Sequence, residues 1–326
     1  MEQHPFEPRL DLAPLYQSIA TIRDEIARVL VGQDESVEFL LAALFAEGHV
    51  LLEGVPGVAK TLLAKLLART LDIPFTRIQF TPDLMPGDVI GTTIYNPKTT
   101  EFEFRKGPIF GHVILIDEVN RAPAKTQSAL FEVMEERCVT VDGITYPLQQ
   151  PFLVIATQNP VEHEGTYHLP EAQVDRFAFK LLMGYPTMDE EVEMLARHQK
   201  NRSLHEQVEA LNPVLNAVEL QTLRALVHAV RVEPDILRFI AQIIQQTRTH
   251  GGLLLGASPR GSVTLLHTAR AMAALKGRDF VTPDDVLKVS LPALRHRIYL
   301  SAEKEMDGSR ADDILKEILR QVEVPR

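Results

Sequence analysis

The stretch GVPGVAKT, residues 54–61, ends on a lysine and a threonine after two glycines. These residue types in this order suit phosphate chemistry. Backbone N–H groups of a glycine-rich turn converge on an anion, a lysine reaches the outer phosphates, and a hydroxyl ligates Mg2+. Gly54, Val55, Pro56, Gly57, Val58, Ala59, Lys60, Thr61 and Leu62 are therefore candidate contacts to ATP, with Thr61 toward the metal. The common pattern places glycine before the lysine, where this chain has Ala59. In the first turn of a helix that residue has a negative φ, and alanine is the best helix former there. On this reading the methyl group is tolerated. A left-handed backbone at Ala59 is the one case in which it is costly.

A second set, Asp117-Glu118, closes the apolar run VILIDE. Adjacent carboxylates can divide labour. Asp117 holds Mg2+, mostly through water, and Glu118 polarises the water that attacks in line. An Asp-Glu pair at a strand end is commonplace by itself; beside a phosphate loop on the same sheet it reads as catalytic.

Both sets need a sheet to bring them together. HVLLEG, HVILIDE and PFLVIATQN are short continuous apolar runs, each followed by a polar residue. Strands buried on both faces look like this, as in a parallel sheet covered by helices, where ligands bind beyond the carboxyl ends of the strands. PFTRIQF (74–80) is a weaker strand candidate and FAFKLLM (177–183) another. Two helices precede the sheet, the first with Leu15, Ile19, Ile22, Ile26 and Val29 on one face, the second capped by Asp34. Beyond GYP at 184–186 the apolar spacing is helical, over roughly 187–200, 217–231, 234–249, 259–276, 283–297 and 311–321. The expected architecture is α/β: a nucleotide-binding parallel sheet flanked by helices over 1–184, then an all-helical domain over 185–326.

Composition bounds the function. Acidic residues outnumber basic ones, 44 to 34, and the net charge of −10 argues against a broad nucleic-acid surface. A single cysteine, Cys138, excludes an intramolecular disulfide and reads as a small buried filler. The opening MEQHPFEPRL has no basic stretch followed by an apolar core, and no apolar run approaches the ~20 residues of a membrane span. The expected location is the cytoplasm.

Four segments together, GVPGVAKT, VILIDEVNRAPAKTQSALFEVMEE, FLVIATQNPVEHEGTYHLPEAQVDRF and GASPRG, resemble the MoxR-type AAA+ ATPases. The resemblance runs from about residue 20 to 300. It implies a P-loop AAA+ sheet with a C-terminal helical lid, and ATP and Mg2+ as cofactors. It also gives roles to further residues. Gly32-Gln33 match the segment beside the adenine. Asn159 matches the first sensor, which places water near the γ-phosphate, and its amide both donates and accepts. Arg176, in EAQVDRF, matches the arginine finger supplied to a neighbouring subunit. Arg260, in GASPRG, matches the second sensor, in either its own subunit or the next. There Ser258 is suited to cap a helix and Pro259 to start it. Arg121 matches a family position at the subunit boundary.

The same resemblance implies a ring, expected to be hexameric. It further implies a chaperone-like role in activating partner proteins, often ones with a von Willebrand factor A domain. Two inserts, 81–110 and 138–148, have hairpin signals, Asn96-Pro97 and Asp142-Gly143. They are either ordinary surface hairpins or ones aimed at a ring pore or partner. Competing functions are a DNA-dependent motor, a metal-chelatase motor and a nucleotide-gated scaffold. The only basic cluster on the first insert is Lys98, Arg105 and Lys106, and all the hydrolytic residues are present. HEGTYH (163–168) is not a zinc site: helical ligands five apart diverge by about 140°.

Overall fold

A computed structural model describes residues 10–159, 167, 169–199 and 203–325. The opening segment and the histidine pair at 163 and 168 lie outside the described residues.

In chain order the strands are β1 (His49–Gly54), β2 (Phe75–Gln79), β3 (Gly91–Asn96), β4 (Glu101–Lys106), β5 (Val113–Asp117), β6 (Cys138–Val141), β7 (Ile144–Pro147), β8 (Leu153–Gln158), β9 (Phe177–Met183), β10 (Leu253–Leu255) and β11 (Tyr299–Leu300). The helices before residue 184 are α1 (Ala13–Ala27), α2 (Asp34–Phe45), α3 (Lys60–Thr70), α4 (Pro86–Ile90), α5 (Ala124–Glu136) and α6 (Glu171–Val174). Those after it are α7 (Met188–His198), α8 (Leu204–Glu209), α9 (Ala217–His228), α10 (Pro234–Thr249), α11 (Pro259–Leu275), α12 (Pro283–Leu294), α13 (Ala302–Met306) and α14 (Ala311–Gln321).

Five strands form one parallel sheet in the order β2-β5-β8-β1-β9. The apolar runs explain why. Successive side chains of a strand point to opposite faces, and here both faces are covered. Val50, Leu52, Val113, Leu115, Leu153 and Ile155 join a core shared with α1, α2, α3 and the C-terminal helices. Leu51, Ile114, Ile116, Val154 and Ala156 join a second core beneath α5. The outer strand β2 buries only Ile78 fully, which is why its sequence signal is weak.

The C-terminal helices pack back onto this body: α11 meets α2 and α1, and α12 meets β9. Reciprocal capping at Thr187/Glu190, Ser203/Glu206 and Asn216/Glu219 starts α7, α8 and α9. A short antiparallel ladder, β10 with β11, sits among them without a signal in the helical periodicity. Both inserts form hairpins, β3–β4 and β6–β7, with Asp142 and Gly143 at φ 51° and 79° in the second turn. Thr93 Oγ1 donates to Asp142 Oδ2 at 2.6 Å, and Phe104 stacks on Tyr146, so the two hairpins lean on each other. Cys138 opens β6 half-buried, rather than in a core.

Two helix starts differ from expectation. Gln33, at φ 64°, is the cap of α2, and Asp34 is its first helical residue. Gly32 at φ 70° and Gln33 make two left-handed steps in succession, so the turn ends one residue before Asp34. The carboxylate still favours the helix dipole from there. Ser258 does occupy the cap position of α11, yet its hydroxyl donates to Asp175 Oδ2 at 2.9 Å instead of accepting from its own helix.

Candidate functional site: a phosphate loop and a distant pair of arginines

The loop between β1 and α3 stands at the carboxyl edge of the sheet. Gly54 is demanded by packing, because a Cβ there would lie 2.6 Å from the Met183 carbonyl oxygen. Gly57 is demanded by its backbone, at φ 88°. Ala59 corrects the sequence reading. It is not in the first helical turn but caps α3 with φ 64°, the left-handed conformation. The chain must bend through this residue before Lys60 can begin the helix. An L-residue there costs about 1–2 kcal/mol. The methyl group packs on the main core, which offsets part of that cost.

Lys60 Nζ donates to the carbonyls of Gly54 at 2.6 Å and Gln158 at 3.3 Å, bridging the ends of β1 and β8. Thr61 Oγ1 stands 3.5 Å from Asp117 Oδ2. Asp117 is buried and accepts from Thr157 Oγ1 at 3.1 Å and Arg77 Nε at 2.6 Å. Glu118, left-handed at φ 57°, follows the strand end; its N–H donates to Thr157 Oγ1 at 3.0 Å. Its carboxylate accepts from Gln79 Nε2 at 2.7 Å and pairs with Arg121 Nε at 3.2 Å. Asn159 is buried one residue past β8, at the same edge.

Beside the loop is a cavity of about 450 Å3. Leu30, Val31, Gln33, Val58, Ala59 and Leu62 line one side, and Tyr185, Pro186, Met194 and Leu204 the other. Gln33 Nε2 donates to the Gly184 carbonyl at 3.3 Å and its Oε1 accepts from Ser36, which fixes that wall. Gly32 lies against the Glu190 carboxylate, which a Cβ would meet at 2.6 Å. An apolar cavity with a few polar edges, next to an anion cradle, has the form of a base pocket.

Arg176 and Arg260 are elsewhere. Arg176 precedes β9, whose first residue, Phe177, pairs with His49 at the start of β1, whereas Gly54 pairs with Met183 at the end. The strands are parallel, so the two edges lie about 20 Å apart. At the amino edge Arg176 donates to the Phe131 carbonyl, and its Nε is 3.6 Å from Glu135 Oε2. Arg260 Nη2 donates to Glu135 Oε1 at 2.6 Å. The two guanidiniums thus share one carboxylate in a second cavity of about 400 Å3.

The family described as ATPase associated with various cellular activities (AAA) matches residues 49–179, and the AAA lid domain matches residues 245–318. Chaperone MoxR1 of Mycobacterium tuberculosis is 43% identical over 93% of this chain and 81% of its own. The chain belongs to the MoxR family of AAA+ ATPases. The Bacillus subtilis protein YeaC, itself uncharacterised, is 49% identical over 97% of this chain and 96% of its own. A crystal structure of a Cytophaga hutchinsonii protein assigned as an ATPase has a TM-score of 0.89, with 42% identity over 97% of each chain.

In this MoxR-family ATPase, then, one edge of the sheet gathers Lys60, Thr61, Asp117, Glu118 and Asn159, with the pocket beyond Gln33. Arg176 and Arg260 gather at the other edge, and within one chain they do not meet the loop. Sequence reasoning passed over Arg77, Gln79 and Thr157, which hold the two carboxylates. Arg77 and Gln79 are two apart on β2 and so share a face, a signal that was legible once β2 was placed beside β5. The outer wall of the cavity, with Tyr185, Pro186, Met194 and Leu204, gave no comparable signal.

Among the described residues, no helix is long and apolar enough to cross a membrane, and no group of three His, Cys, Asp or Glu could hold a metal.

Proposed function

We propose that this ATPase works as a head-to-tail ring, hexameric and cytoplasmic, that binds ATP between subunits and remodels or activates partner proteins. The observation that carries this reading is the separation of the arginines from the loop. A site with Lys60 and Glu118 at one edge and Arg176 and Arg260 at the other is complete only when two copies meet edge to edge.

On this reading residues 1–184 supply the loop and residues 185–326 the lid. The base enters the cavity at Gly32-Gln33. Backbone N–H groups from Gly54 to Leu62 and Lys60 hold the phosphates. The hard oxygens of Thr61 and Asp117, 3.5 Å apart, fit Mg2+, which neutralises phosphate charge when bound. Glu118 takes the proton of the attacking water, and Asn159 orients that water. Arg176 and Arg260 of the neighbour stabilise charge on the transferring phosphoryl group. Arg121, paired with Glu118, stands where that neighbour would approach. The two leaning hairpins expose Ile94, Tyr95, Phe102 and Ile144, a surface suited to protein rather than DNA. The relative in Mycobacterium is called a chaperone. That name supports a remodelling role here; the motif resemblance alone implies a von Willebrand factor A domain protein as the partner.

Three variants test the mechanism. Lys60→Ala abolishes ATP binding by equilibrium dialysis. Glu118→Gln keeps ATP bound, traps the ring for sedimentation analysis, and stops phosphate release. Arg176→Ala binds ATP normally and does not hydrolyse it. Turnover by a strictly monomeric species would refute the shared site. Affinity capture on Glu118→Gln with ATP identifies the partner.

A further inference from the structure

Arg297, just past α12, is 4% exposed, and its guanidinium grips one short segment. Nε donates to Asp175 Oδ1 at 2.6 Å, and Nη2 donates to the carbonyls of Asp175 and Phe177, both at 2.8 Å. Further bonds go to Thr264 Oγ1 and to the carbonyls of Ala178 and Ala293. Arginine has five N–H donors, and Nε, Nη1 and Nη2 are all directed at protein atoms. Arg297 therefore has no donor to offer a ligand.

The segment it grips brackets Arg176. On one side Asp175 also accepts from Ser258 Oγ, with its second carboxylate oxygen. On the other, His296 Nε2 donates to the Phe177 carbonyl at 2.9 Å. Ser258 caps α11, and Arg260 is two residues further on. The lid thus holds the residue before Arg176 and the residue after it, and the same cap launches Arg260. Burial pulls the Arg297 pKa down from its ordinary value, and the Asp175 carboxylate opposes that pull.

We propose that Arg297 and Asp175 form a positioning clamp that locks the Asp175–Phe177 segment to the lid, so that Arg176 and Arg260 meet a neighbour's phosphates as one rigid pair. The clamp rests on the shared-site reading above. Its effect is on the neighbour's nucleotide, not on the nucleotide of its own chain.

Subunit mixing separates these cases. Asp175→Asn keeps the side-chain size and an acceptor for Ser258; Arg297→Lys keeps the charge and loses the fork. Both variants should melt as folded proteins and bind a fluorescent ATP analogue within about twofold of wild type, with turnover about 10- to 100-fold lower, as for a small misplacement of a catalytic group. Each is then mixed with Lys60→Ala, which has an intact clamp and no nucleotide. In random equimolar rings about a quarter of the interfaces join an intact loop to an intact clamp, given head-to-tail contacts. Turnover should return toward that fraction. Arg176→Ala mixed with Lys60→Ala is the control. If the control recovers and the clamp variants do not, the clamp is overturned and the shared site stands. If neither recovers, the shared site falls and takes the clamp with it. Wild-type turnover in Asp175→Asn alone also overturns the clamp.

Discussion

Replacing Thr157 with valine removes one hydroxyl and almost nothing else. The side chain is 2% exposed, and valine has its shape. That hydroxyl donates to Asp117 Oδ1 and accepts from the Glu118 N–H, so it ties both carboxylate residues to β8. A hydrogen bond to an ionised group contributes about 1.5–3 kcal/mol, and an orphaned buried N–H costs about 1 kcal/mol or more. Asp117 keeps Arg77, which places the loss at the lower end. Thr157→Val should therefore unfold in urea with about 2–3 kcal/mol less stability. The larger consequence is for Glu118, because that hydroxyl anchors its N–H at a left-handed turn. Turnover should fall about 10- to 100-fold while ATP affinity holds, because the loop and Lys60 are untouched. Thr157→Ser restores the hydroxyl and should recover both quantities. Wild-type stability and turnover in Thr157→Val would refute the reasoning.

Other perturbations follow from the same geometry. Ala59→Gly relieves a left-handed alanine and should raise the stability of the nucleotide-free protein by up to about 1 kcal/mol in urea unfolding; glycine's greater unfolded-state entropy limits the gain. A loss of stability instead would mean that methyl packing outweighs the backbone strain. Acidification should also weaken the fold through His49, buried between the Met134 carbonyl and the Val154 N–H and pushed down to about 4 by burial. A depressed folded-state pKa contributes stability that is complete above about 6.5 and is lost as pH falls toward 4. His49 alone should cost roughly 2 kcal/mol between pH 7 and pH 5, and His296, also held well below its ordinary value by burial, adds to the same trend. A His49→Leu variant, weaker at pH 7, should show a shallower loss in urea midpoint on acidification; an unchanged slope would exonerate His49.

What the sequence revealed and what it hid divide along physical lines. β1, β5 and β8 are buried on both faces, so unbroken apolar runs were their signature, and the polar residues after them are the ones gathered at one edge of the sheet. β9 was, like β2, a weaker candidate: it is an edge strand on which Lys180 is only half-buried and Leu182 is exposed. Helices α7, α9, α10, α11, α12 and α14 announced themselves through apolar periods, with Ser258 and Pro259 marking the start of α11, whereas α8 and α13, five or six residues long, are too short to show a period. Ala59 was misread because backbone handedness at a turn is set by where the helix must begin, and side-chain propensity is silent on that. Position along the chain likewise hid the supports of the site. Thr157 and Asp117 meet only through strand pairing, and Arg297 reaches Asp175 across 122 residues of sequence. No local pattern encodes such pairs.

The two ion pairs at the amino edge differ in a way that matches the duties proposed for them. Arg260 and Glu135 are 39% and 37% exposed, and an exposed pair contributes no more than about 1 kcal/mol. On the shared-site reading proposed above, Glu135 would hand both guanidiniums to an incoming polyphosphate at little cost, because the ligand offers more charge in the same place. Arg297 and Asp175 are 1% and 21% exposed, and breaking such a pair leaves a desolvated charge, at about 3–5 kcal/mol. That pair should not open during turnover. On that reading, a soft contact where the ligand arrives and a hard one where shape persists would let the arginines exchange partners without the lid losing its grip on them. Reversing the two, with a firm carboxylate on Arg176 and a loose one on Arg297, would give a cation that neither releases nor aims.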